Sequence, residues 1–107
     1  MVFVVTKAMN ISRINPAVVH QTGFEAQDLV GRPFSSIGKE SGGSGGATLA
    51  EAMGRGLDEG RDLRNQAVVI LTKSGLQMPV RLALFPLRDR DRVVGGVVIL
   101  EVVSKQA

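Results

Sequence analysis

Apolar positions change their period along the chain, and the changes mark the elements. "VFVVT" (Val2 to Thr6) is a continuous β-branched and aromatic run that predicts a strand. "ISRIN" (Ile11 to Asn15) predicts a second short strand after the turn "KAMN". Asn15 followed by Pro16 is a helix start: Asn can accept from the open N–H groups, and Pro lacks only a donor that the first turn leaves unpaired. Gly23 ends that helix, and a second short one spans about Glu25 to Val30 before Gly31 and Pro33. From about Ala47 to Leu57, Leu49, Met53 and Leu57 recur at every fourth position, which puts one apolar stripe on a third helix that Gly54 and Gly56 weaken.

Beyond Leu57 the period becomes that of strands. "NQAVVILTK" and "LQMPVRLALFPL" flank a tight turn at Ser74 and Gly75, and "RDRD" turns the chain into "RVVGGVVILEVV". Strands, then helices, then a long meander predict an α+β fold with one antiparallel sheet and short helices packed on one face. Met78, Val80, Leu82 and Leu84 share one face of their strand, while Ala83 and Phe85 lie on the other with Pro79 and Arg81. Val68 and Ile70 similarly oppose Val69 and Leu71, and the last strand is apolar on both faces. A sheet covered on one side should alternate apolar with polar, so this one needs a second cover. The outer face, with Val69, Leu71, Ala83, Phe85, Val97 and Ile99, is therefore expected to meet a second copy or a further segment.

Composition narrows the picture. At 107 residues the chain is one domain, 1–107, with room for one core but not for an effector as well, which suggests a fragment of a longer signalling protein. "SGGSGG" (41–46) reads as a flexible tether. The net charge of +3 invites a nucleic-acid reading. Its distribution argues against one, because Arg88, Arg90 and Arg92 alternate with Asp89 and Asp91, and no aromatic is interleaved for base stacking. No apolar run approaches the roughly 18 residues of a membrane-crossing helix, and "MVFVVTK" is too short for a signal peptide, so no membrane partner and a cytoplasmic location are expected. The chain has no cysteine, which excludes disulfides, zinc fingers and thiol nucleophiles.

The order and spacing of "INPA", "TGF", "DLVGRPF", "KSG", "PLRD" and "VVGGVVIL" resemble the PAS domain family across nearly the whole chain. For these residues the resemblance implies a five-stranded antiparallel sheet of order 2-1-5-4-3 cradling a pocket beneath the helices. It further implies a cytoplasmic sensory or dimerisation module linked to a histidine kinase, a cyclic-dinucleotide enzyme or a transcription regulator. In this family the outer sheet face commonly packs on a flanking helix or a second protomer. The chain departs from the family where Val102, Val103 and Ser104 replace the usual Asp-Ile-Thr exit, and where Gln21 replaces a leucine before the Thr-Gly corner.

The resemblance also frames the cofactors. Flavin photochemistry in such domains needs a cysteine, and redox flavins usually sit against Trp; neither residue type is present. The haem ligand of the family typically comes from the third helix, which holds no His, and His20 falls at a commonly exposed position. No cofactor is expected, neither haem nor flavin, and a lone His makes no metal site. Ser35, Ser36, Asp28 and Glu40 have no positioned base, so no catalysis is expected. A small-molecule pocket, if built, draws on Val4, Gln21, Leu29, Phe34, Leu49, Met53, Val80 and Leu82. The expectation is a non-catalytic sensory or dimerisation domain that regulates a linked effector, homodimeric through its outer face; the alternative is a structural oligomerisation module with a filled core.

Overall fold

A computed structural model describes residues 1–40 and 49–103. Strands β1 (Val2–Thr6) and β2 (Ile11–Ile14) are joined by a turn in which the Thr6 N–H reaches the Asn10 carbonyl at 2.8 Å and Met9 takes a φ of 68°. Helix α1 (Pro16–Thr22) begins at the Asn-Pro signal and stops at Gly23, whose φ of 81° is the left-handed conformation that favours glycine. Asn15 does not cap α1 with its side chain. Its Oδ1 instead accepts the Val2 N–H at 3.1 Å, which ties the helix start to β1.

Helix α2 (Ala26–Leu29), a single 3-10 turn (Phe34–Ser36) and strand β3 (Gly38–Glu40) follow. Helix α3 (Leu49–Glu59) then leads to β4 (Leu63–Leu71), β5 (Gln77–Asp89) and β6 (Arg92–Val102). The helix runs past Leu57 to Glu59; Ala47 and the tether 41–46 lie outside the described residues.

Every strand pairs antiparallel, in the order β2-β1-β6-β5-β4-β3. Without β3 the five longer strands stand in the expected order 2-1-5-4-3. The short β3 on the edge is an addition to that reading, since its 3 residues are too few to display a period. All three helices pack against one face of the sheet.

Inner-face side chains from the five longer strands and apolar residues of the helices form one core. Phe3 and Phe34 meet edge to face at 5.3 Å and 88°. Met53 and Leu57 of α3 are 1% and 0% exposed. The helix approaches so closely that a Cβ on Gly96 would lie 2.7 Å from Leu84 Cδ1 and 3.0 Å from Leu57 Cδ2. Burial stabilises each such large side chain by about 1.5–3 kcal/mol relative to exposure.

Candidate functional site

Strand register sorts the side chains into two faces. Phe3, Val98 and Leu84 form a cross-strand row that points into the core, each 0% exposed. The next residues along each strand form rows on the outer face: Val4, Val97 and Phe85 in one, Val2, Ile99 and Ala83 in the other. These are half-buried, and Ile99 is 40% exposed. The Arg64 guanidinium lies 5.3 Å from the centre of the Phe85 ring and covers part of it by a cation–π contact.

A third row sets Arg81 between Glu101 and Ala67, and a fourth sets Val69 against Pro79. Val69, Leu71, Ala83, Phe85, Val97 and Ile99 thus all lie on the outer face, with Leu71 at the hairpin end opposite Gln77. The outer face also sinks into a hollow of about 240 Å³ beside Ala83.

The residues proposed for an inner pocket are not brought together as one set. Leu29, Phe34, Met53, Val80 and Leu82 are in the core, each at most 1% exposed. Val4 does not join them: its neighbours Phe3 and Val5 point inward, so Val4 stands on the outer face. The all-apolar run "VFVV" carries no polar alternate to reveal that parity. Gln21 is exposed on α1, and the side chain of Leu49 lies outside what is described.

Thr22 is the buried polar residue of the described core. Its hydroxyl donates to the Val18 carbonyl at 2.6 Å and accepts the Phe24 N–H at 3.2 Å. Among the described residues no buried side-chain nitrogen or oxygen lacks a partner. The sequence has no cysteine, so there is no thiol for a flavin adduct.

His20 is exposed, and no three His, Asp or Glu side chains converge on a metal position among the described residues. Asp28 Oδ2 accepts the Glu25 N–H at 2.9 Å and lies 3.5 Å from Lys73 Nζ. That backbone N–H, with Lys73 and Arg32 adding to it, holds the Asp28 carboxyl below its ordinary range. The Ser36 hydroxyl donates to the Pro33 carbonyl at 2.7 Å. These groups serve the loop in which they sit, and among the described residues none bonds to His20.

A second depression of about 510 Å³ opens at the β5–β6 hairpin, between Lys7, Asp58, Glu59, Asp91 and Arg92. Arg88 crosses it to donate to the Gly60 carbonyl at 3.0 Å. Its walls carry both signs of charge and belong to the surface.

Five antiparallel strands with short helices over one face give the chain an α+β architecture. The chain belongs to the PAS fold family, whose model matches residues 1–107. No curated relative matches. Among solved structures it is similar to the light-state structure of the blue-light photoreceptor Aureochrome1 LOV, with 15% identity, a TM-score of 0.78, and coverage of 97% of this chain and 81% of that one. The dark structure of the same photoreceptor gives 15% identity and a TM-score of 0.76, covering 97% and 75%. An RNA-binding light-oxygen-voltage receptor gives 18% identity and a TM-score of 0.77, covering 94% of this chain and 28% of that one. At these identities the likeness is one of fold. Among the described residues no helix is long and apolar enough to cross a membrane.

Proposed function

We propose that this chain is a non-catalytic regulatory PAS domain that works by association: its outer sheet face packs on a second copy and so conveys packing changes to a linked effector. The effector classes in keeping with the family are histidine kinases, cyclic-dinucleotide enzymes and transcription regulators, in the cytoplasm. The observation that carries the reading is the apolar block of Val4, Phe85, Val97 and Ile99 left half open on one face while the opposite face is closed by helices.

The closure of Leu29, Phe34, Met53, Val80 and Leu82 at 1% exposure or less supports a second reading, a purely structural oligomerisation module, over one that senses a small ligand within the core. Direct nucleic-acid binding forms no part of the proposal. Arg61 and Arg64 pair with Glu59 and Asp62 at 3.2 and 3.4 Å, which supports a mixed rather than a basic surface.

Light scattering and an absorption spectrum on purified protein test the reading. The expected result is a colourless dimer that Val97→Asp converts to a folded monomer. A monomer at every concentration sinks the association, and a visible band sinks the cofactor-free assignment.

A further inference from the structure

The outer face carries a pair of opposite charges beside its apolar block. Arg81 and Glu101 are direct cross-strand partners on it, between the apolar block of Val97 and Ile99 and the Val69–Pro79 pair. Both side chains are exposed, and among the described residues neither has a hydrogen-bond or ion-pair partner, not even the other. A sheet face that packs on another must neutralise such charges, because an unpaired charge taken out of water costs far more than the contact returns.

Resting on the reading that the outer face dimerises, we infer that the two copies are related by a two-fold axis running along the strands between β5 and β6, with Arg81 of each copy over Glu101 of the other. A two-fold contact is self-complementary: if one residue touches a second across it, the second touches the first. An axis along the strands between β5 and β6 exchanges those strands across the contact, so each cross-strand pair of the outer face is matched with its own mirror pair.

Applied to the observed register, this axis makes every central contact complementary. Arg81 meets Glu101 with opposite charge, and Phe85 meets Val97. The protruding Ile99 stands over Ala83, where the surface sinks into its hollow of about 240 Å³. Packed sheets lie about 10 Å apart, a span that two long charged side chains bridge. Aligned sheets cross at about 30°, so the matching holds for the strands nearest the axis, β5 and β6, where these residues lie. An axis across the strands would instead carry position 81 toward another residue of β5 and leave both charges buried without partners.

Charge reversal tests the arrangement. In homodimers, Arg81→Glu sets two acidic positions against each other twice, and Glu101→Arg sets two basic ones. Each should weaken self-association by about 100-fold or more, since like charges across an interface cost several kilocalories per mole. Mixing the two variants should restore a heterodimer of near wild-type affinity, because every 81–101 contact again joins opposite charges. Arg81→Gln, which removes charge without adding repulsion, should weaken the homodimer by about tenfold. Sedimentation reads the wild type, the three variants and the mixture, and an unchanged far-ultraviolet circular dichroism spectrum verifies each fold. A wild-type dimer whose single reversals still self-associate, or whose mixture stays monomeric, overturns the axis while leaving dimerisation by the face intact. A wild-type monomer overturns the dimer reading itself and points to another segment or protein as the cover.

Discussion

Phe3, Val98 and Leu84 on the inner face are fully buried, whereas the residues beside them in the chain, Val4, Val97 and Phe85, remain half-buried on the outer face. The two rows are nearly alike in composition and lie on the same three strands. Their hydrophobicity does not decide which is closed; the helices do, because α1, α2 and α3 all fall on one side. The inner row is a core already complete, whereas the outer row is left half-buried. The glycines sharpen the contrast. A Cβ at Gly96 would strike Leu84 and Leu57 on the inner side, so the inner packing has no slack, while the outer face has room beside Ala83.

If this contrast is right, substitutions on the two faces should separate stability from association. The largest effect belongs to Phe34→Ala, which removes the ring packed edge-on against Phe3 and leaves a cavity. It should lose about 3–5 kcal/mol of folding stability in urea titration. A loss below about 1 kcal/mol would mean the inner face is not closed as described. Gly96→Val comes next, because the added side chain has no space between Leu84 and Leu57. Overpacking of this kind costs about 1–3 kcal/mol, read from the same titration. Ile99→Ser should invert the pattern, with folding stability at monomeric concentration changing by less than about 1 kcal/mol while self-association weakens by about tenfold or more. Equal losses in both measurements would erase the distinction between the faces.

The smallest effect is the pH dependence of the α1–α2 corner. Asp28 has its carboxyl lowered chiefly by the Glu25 N–H, with Lys73 contributing from the β4–β5 hairpin. A lowered carboxylate contributes stability above its unfolded pKa and loses it as the pH falls through its folded pKa. Wild type should therefore lose an increment of stability on acidification below the ordinary aspartate range that Asp28→Asn does not lose. Urea midpoints of the two proteins across that range provide the comparison, and parallel curves would remove Asp28 from the corner's stability.

Much of the fold was legible in local signals. Asn15-Pro16, Gly23 and Gly31 marked the short helices because each acts through its own backbone: a fixed φ, a missing donor, or a left-handed stop. The hairpin at Ser74 and Gly75 was legible for the same reason, with Gly75 at φ 90°. What escaped depended on residues far away in sequence. Asn15 turned its side chain to Val2 rather than to the helix, because β1 lies beside it. The cation–π cover of Phe85 by Arg64 also arises across strands and left no mark on either local pattern.

By itself the sequence determined the five longer strands, the three helices, the α+β class and the apolar character of both sheet faces, because periodicity and turn chemistry act over a few residues. Which residues share a row was decided only by the tertiary structure. Counting back from the turn at Arg90 and Asp91 pairs Arg88 with Val93, and the same count continued would set Arg81 against Leu100. Instead the register shifts between Leu87 and Arg88, Leu87 pairs with Gly95, and Val94 is left as the extra residue, 52% exposed. One bulged residue moves the later side chains of a strand to the other face relative to its neighbour. That single shift is what sets Arg81 opposite Glu101 and buries Leu100 opposite Leu82.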